Sequence, residues 1–306
     1  MAKTMTKKQA RPKRRKERLG VDWLTLSYLY DMNLFEKIQS DADDMIWWGE
    51  EYQDHFYTYR IKDQCSDDMQ MVNVVLRMGA DDDRLLGTLT MHNTKKYEGR
   101  AFFEIANKAL YTGLLCYLPY VESVLNLTFN NITRIDIALT STYNYMDAIL
   151  KSVRNYDGLK MIYNGRNVTN PDATLMNFIE IFPQNRRKRL NPPTLVFGHK
   201  KQTGIRVRVY DKARELRENS PEKIEYLNRW LGFDYEKLYR IEVTLSNAEV
   251  REVCAKSAEW LSEWEHGGNL VSLVQLPSFL SFAFCHALSH VLRFKKGAKT
   301  IEVWDL

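Results

Sequence analysis

The 306-residue chain is 44% hydrophobic and 12% aromatic, which excludes a disordered polypeptide and supplies a core for one large domain or two modest ones. Its formal charge of +5 is unevenly placed: residues 1–20 hold nine Lys/Arg against one Glu, a net +8, so the other 286 residues carry −3. Such a block reads as a disordered basic tail that binds polyanions, attached to a slightly acidic folded body.

In chain order, VDWLTLSYLY (21–30) reads as a strand rich in β-branched and aromatic residues. Further strands are expected at 56–63, 69–79, 85–93 and 99–110, followed by a helix around 111–126. The turn holding Asp81, Asp82 and Asp83 reads as a solvated acidic hairpin turn rather than a metal site. NITRIDIALT (131–140) is a strand, a helix follows near 145–154, and NFIEIF (177–182) is another strand. TLVFGHKKQTGIRVRVY (194–210) reads as a hairpin with its turn bracketed by Gly198 and Gly204, leading into a charged turn. A charged helix is expected over 221–233 and a strand over 238–246. Asn247 then caps one helix whose apolar residues run from Val250 to Trp264 at helical spacing.

Residues 269–292 contain no charged Asp, Glu, Lys or Arg and are long enough to span a bilayer. Pro277, Gln275, several serines, His286 and His290 point instead to a buried helix starting near Pro277, where proline suits the first turn. Cys65, Cys116, Cys254 and Cys285 form no C-x-x-C pair, which fits reduced thiols. The charged N-terminus lacks an apolar signal region, so a cytoplasmic protein without membrane association is expected. The fold class that follows is α+β, a largely antiparallel central sheet with flanking helices and a helical C-terminal part. The expected divisions are the tail (1–20), a catalytic unit (21–246) and a helical extension packed on the core (247–306).

Two strands repeat one pattern: RIDIALT (134–140) and RIEVTLS (240–246). The match points to an internal duplication, or to two strands in equivalent environments. One face of each is apolar; the other carries Arg134, Asp136 and Thr140, or Arg240, Glu242 and Ser246. A carboxylate in mid-strand is unfavourable unless it is paired or ligates something. If the strands are neighbours with the acids opposed, Asp136 and Glu242 can share a divalent cation, and oxygen-only ligation suits Mg²⁺ or Mn²⁺. Alternatively, each acid pairs with the arginine two residues along its own face. In IRVRVYDKARE (205–215), Arg206, Arg208 and Tyr210 share a face, so Tyr210 is either a surface residue or a nucleophile beside a phosphate. A phenol, with a pKa near 10, needs help to attack phosphorus at neutral pH. Arg206, Arg208, Lys212, His199, Lys200 and Lys201 offer a positive field there.

These segments resemble the Rep-trans family of rolling-circle replication initiators, which includes plasmid initiators with related phage initiators and relaxases. The resemblance rests on VDWLTLSY (21–28), TRIDIALT (133–140), TLVFGHKKQTGIRVRVYDKARE (194–215) and YRIEVTLS (239–246). It implies that Tyr210 is the nicking tyrosine and that Asp136 and Glu242 are metal-site acids, with Lys212 and Glu215 filling the remaining motif positions. It also implies cleavage of one DNA strand at an origin, single-stranded or extruded as a hairpin, giving a 5′-phosphotyrosine and a free 3′-OH. A homodimer and a host helicase partner are implied as well. The chain departs from the pattern at Thr140, where the family has a second acid, so that Glu104 or Glu180 would have to substitute. It departs again at Lys201-Gln202-Thr203, where the family has a serine.

No H-x-H metal pair and no phosphate- or dinucleotide-binding loop occurs. His286 and His290 have a spacing that can hold zinc, but on so apolar a helix they are expected to be core residues. The competing reading is a non-enzymatic DNA-binding replication or regulatory protein of the same fold. DNA contacts are expected from Arg206, Arg208, Lys200 and Lys201, with Arg186 and Arg187 in a basic loop.

Overall fold

The computed structural model describes residues 15–41, 43–49, 55–80, 82–154, 159–168, 194–198, 204–265 and 270–306. The expected tail up to residue 14, the 177–182 strand, Glu180, Arg186, Arg187, His199, Lys200 and Lys201 lie outside the described residues.

The chain enters through a long strand, β1 (Glu17–Leu29), then α1 (Met32–Ser40), β2 (Met45–Trp48) and β3 (His55–Arg60). Next come β4 (Met69–Arg77), β5 (Asp83–His92), β6 (Arg100–Ile105), α2 (Asn107–Thr112) and α3 (Leu118–Val124). The middle of the chain gives β7 (Thr128–Ser141), α4 (Tyr145–Arg154), β8 (Leu159–Tyr163) and β9 (Arg166–Asn167). Then follow β10 (Thr194–Phe197), β11 (Ile205–Asp211), α5 (Lys212–Asn219), α6 (Ile224–Leu231) and β12 (Tyr239–Ser246). The chain closes with α7 (Asn247–Cys254), α8 (Ala258–Glu265), α9 (Leu270–Gln275), α10 (Pro277–Val291), β13 (Leu292–Lys296) and β14 (Lys299–Glu302).

Among the described residues, ten strands form one sheet in the order β10-β11-β12-β7-β1-β6-β5-β4-β3-β2, and every neighbouring pair is antiparallel. A second sheet has the order β14-β13-β8-β9. The fold is α+β with a large antiparallel sheet and flanking helices, as the sequence predicts.

Period-two alternation decides the two faces of the main sheet. Ile135, Ile137, Val207, Val209, Ile241 and Val243 are all fully buried on one face. Against them packs α10, whose Phe279, Ala283, Phe284 and Ala287 belong to the same apolar cluster. Pro277 occupies the first turn of α10, as expected, and costs nothing there because its missing N–H has no helical partner anyway. No helix among the described residues is long and apolar enough to cross a membrane. On the polar face, α2, α5 and α6 supply a smaller apolar cluster of Tyr111, Ala213, Leu216, Tyr226, Leu227 and Leu231.

Several boundaries differ from the sequence reading. The strand expected to begin at residue 21 begins at Glu17, so residues 17–20 are sheet rather than tail. The strand expected over 99–110 stops at Ile105, and Asn107 opens a helix. The segment after Tyr210 is a helix, not a turn, because the Asp211 side chain accepts the Arg214 backbone N–H and caps it. The single helix expected from Asn247 to Trp264 is two, and the cap position is Ser246, with Asn247 the first helical residue. The amide Nδ2 of Asn247 instead donates to Ile132 O at 3.1 Å, which fastens α7 to β7. The C-terminal part is not wholly helical: after α10 the chain forms the β13–β14 hairpin and closes in a short 3₁₀ turn at Val303–Asp305. His286 is half-buried and His290 exposed, so neither is a core residue; the apolar face of α10 is turned the other way.

Candidate active site around Tyr210

The twin segments are adjacent strands, but their antiparallel pairing offsets the two acids. Asp136 stands opposite Thr244, and Glu242 stands opposite Ala138. The carboxylates are therefore diagonal neighbours rather than opposed ones. On the other side of β12, Arg208 of β11 stands directly opposite Glu242, and Tyr210 opposite Arg240.

This register sets the contacts. The Tyr210 phenol donates to Glu242 Oε2 at 3.0 Å. Arg208 Nη2 donates to the other oxygen of the same carboxylate and lies 3.9 Å from Asp136 Oδ2. Asp136 is itself gripped by Arg134, with Nε on Oδ1 at 2.8 Å and Nη2 on Oδ2. The pairing of an acid with the arginine two residues along its own strand thus holds for Asp136. It fails for Glu242, because Arg240 is engaged elsewhere.

Arg240 is fully buried and turns to β1. Its Nη1 lies 2.6 Å from Asp22 Oδ1, and its Nε donates to Thr140 Oγ1 at 3.1 Å. Tyr111 donates to the same Asp22 oxygen, and Asn107 Nδ2 donates to the Asp22 carbonyl at 2.6 Å. Thr140, at the position where a second acid was anticipated, accepts from this arginine. Asp22 is the residue that sequence reasoning missed. Its signal was present: an acid in mid-strand, flanked by Val21 and Trp23, is as unfavourable unpaired as Asp136 or Glu242.

Lys212 is the first residue of α5, and its Nζ lies 2.6 Å from Glu215 Oε2, one turn on. It sits 5.9 Å from the Tyr210 ring centroid and is almost wholly buried. The strand-to-helix junction therefore explains the Tyr-Asp-Lys…Glu spacing. Tyr210 ends the polar face of the strand, Asp211 caps the helix, and Lys212 and Glu215 pair across its first turn.

Charge and burial shift the titrating groups around Tyr210. Burial raises the Glu242 carboxyl above its ordinary pKa despite Arg208, with Asp22 and Asp136 adding to the rise. Burial likewise holds the Tyr210 phenol far above 10, and Glu242 adds to it. Burial, with Arg240 beside it, brings Lys212 down to about 8 against the pull of Asp22 and Glu215. Burial penalises the Asp22 carboxylate, yet Arg240 and Lys212 outweigh that and hold its pKa far below the usual carboxylate range.

Arg206 lies one step along β11, opposite Thr244, and is half-buried. Glu104, on β6, faces Thr25 and is exposed. In this arrangement all four carboxylate oxygens of Asp136 and Glu242 accept from guanidinium or phenol donors, and Arg208 bridges the two acids. An ion shared by Asp136 and Glu242 would have to displace that guanidinium.

No family model matches the chain, and no curated protein matches it. Among solved structures, the chain is similar to that of the rolling circle replication initiator protein from Geobacillus stearothermophilus. That similarity covers 92% of this chain and 89% of the other at 16% identity, with a TM-score of 0.40.

Proposed function

We propose that the chain is a rolling-circle replication initiator that nicks one strand of an origin with Tyr210 as nucleophile. The reading rests on the motif resemblance and on one observation: the Tyr210 phenol donates to Glu242, whose other oxygen is held by Arg208. Glu242, made more basic by burial, takes the phenolic proton as Tyr210 Oη forms its bond to phosphorus. The P–O3′ bond breaks, and the departing oxygen takes a proton from Lys212, whose pKa of about 8 leaves it protonated yet acidic enough to donate. The products are a 5′-phosphotyrosine and a free 3′-OH, and the reverse steps rejoin the strand. Arg208 and Arg206 balance the charge of the phosphate oxygens.

If Mg²⁺ or Mn²⁺ takes part, as the sequence suggests, Asp136 and Glu242 would hold it in place of the Arg208 guanidinium, and it would supply positive charge to the phosphate oxygens. No step above depends on it. Origin DNA, a host helicase, a second copy of the chain and a cytoplasmic setting belong to the same proposal by resemblance, as does a phosphate-binding role for the basic tail. Lys200, Lys201, Arg186 and Arg187 complete its DNA contacts.

The test is a denaturation-resistant adduct between the protein and a labelled single-stranded origin oligonucleotide. Tyr210→Phe is expected to abolish the adduct and leave DNA binding in place. An adduct that survives the substitution would move the nucleophile to Tyr163 or Tyr239. No adduct from the unaltered chain, with binding intact, would leave a non-enzymatic DNA-binding protein.

A further inference from the structure

A second cluster of chemistry-bearing side chains lies at the other end of β11 and β12, apart from Tyr210. Glu249 and Glu252 are one turn apart on α7, and α7 packs against α10, which presents His286. One ligand atom from each of these three residues lies within 4.8 Å of the other two. His286 Nε2 lies 3.7 Å from Glu252 Oε1. Two donors bound to one tetrahedral zinc at 2.0–2.1 Å sit about 3.3 Å apart, so modest side-chain rotation brings all three to one ion. We propose that Glu249, Glu252 and His286 form a binding site for a zinc-like divalent transition metal, with the fourth position open to solvent.

The donor set selects the ion. An imidazole nitrogen beside two carboxylates suits zinc or cobalt, whereas Mg²⁺ and Ca²⁺ favour oxygen alone. Two carboxylates face a single imidazole, and Lys256 Nζ stands 3.8 Å from Glu252 Oε1 on a half-exposed side chain that can swing away. The site is reachable: His286 also lines a cavity of about 340 Å³ with Asn164, Ser289, His290 and Arg293. The ring of His290 lies 6.3 Å from that of His286, one helical turn further on.

The position suggests what the ion would do. α7 continues without a break from β12, the strand of Glu242, and α10 packs beneath β11 and β12. A metal joining α7 to α10 would fasten the buried helix to the strand pair that carries Tyr210 and Glu242.

The experiment uses the full chain, stripped with a chelator and titrated with Co²⁺ and with Zn²⁺. The expected result is a visible cobalt absorption of tetrahedral character, saturating at one equivalent and displaced by zinc, together with a rise in Tm on zinc addition. His286→Asn and Glu252→Gln should each weaken binding roughly tenfold or more and cancel the Tm rise, with circular dichroism confirming that both still fold. Asp136→Asn should leave the cobalt spectrum unchanged, which separates this site from the Tyr210 centre. The proposal is overturned by an absence of saturable binding, by binding that survives both α7 and α10 substitutions, or by binding that disappears with Asp136→Asn.

Discussion

RIDIALT and RIEVTLS share a spelling and lie side by side, yet their charges are wired differently. On β7, Arg134 folds back onto Asp136, and its guanidinium lies 4.7 Å above the Trp23 ring with part of the side chain in solvent. On β12, Arg240 has no contact with solvent and reaches across to Asp22 on another strand, leaving Glu242 to Arg208 and Tyr210. The sheet order explains the divergence. Near Arg240, α2 and α6 cover the polar face with Tyr111 and Tyr226, so its fully buried charge must be answered by a carboxylate, that of the partly buried Asp22. Near Arg134 the face is more open, and an ion pair within one strand suffices. A shared local sequence therefore sets which side chains face one way, while their partners depend on what lies above the sheet.

Removing each arginine in turn gives the strongest test of that contrast. Arg240→Ala empties a fully buried guanidinium site and leaves the partly buried Asp22 carboxylate without its cation, which should cost about 3–5 kcal/mol of unfolding free energy. Arg134→Ala should cost about 1–2 kcal/mol, because Asp136 keeps Arg208 within 3.9 Å. Urea denaturation of both variants measures the difference. Equal losses would mean that the two arginines occupy equivalent environments after all, and a larger loss for Arg134 would invert the account. Adding Asp22→Asn to the Arg240 variant should recover part of the loss, since the orphaned charge is then gone.

A second test uses pH and the closed side alone. Lys212 titrates at about 8 when folded, against an ordinary 10.5. Between those values the unfolded chain binds a proton that the folded chain has released, so stability rises with pH across that window and is lost again as pH falls through 8. The full effect is about 3 kcal/mol by the usual conversion of pKa difference to free energy. Lys212→Met removes the charge and should flatten this slope when chemical denaturation is followed from pH 7.5 to 10.5. A slope equal to that of the unaltered chain would show that Lys212 is not the group responsible.

How much of this was legible beforehand follows the same division. The apolar face of β7, β11 and β12 could be read residue by residue, because alternation is a local property and each strand obeys it. The proximity of Tyr210 to Glu242 was readable only as a resemblance, since nothing local says that β11 and β12 are neighbours. The pairing of Arg240 with Asp22 joins residues 218 positions apart and depends on β1 entering the middle of the sheet beside β7. The helix α5 escaped for a different reason. Its eight residues are mostly charged, and the burial of Lys212, Ala213 and Leu216 is too short a pattern to stand out from a polar turn. The edge strand β2 has only four residues, with Met45 and Trp47 exposed, so it carries almost no periodic signal.

The smallest predicted effect probes the open side. Trp23 pairs with Asp136 in the β1–β7 register and lies beneath the Arg134 guanidinium, while its indole Nε1 donates to Thr25 Oγ1 at 2.9 Å. If Arg134 is held chiefly by Asp136, Trp23→Leu removes only a partly solvated cation–π contact and should cost about 0.5–1 kcal/mol. The loss should shrink further when Arg134→Ala is already present, because the ring then has no cation to attract. A double-mutant cycle on these two residues reads the coupling directly. Coupling above about 2 kcal/mol would mean that the indole, not Asp136, is the main partner of Arg134. In that case the open face would be organised by its aromatic residue rather than by its charges.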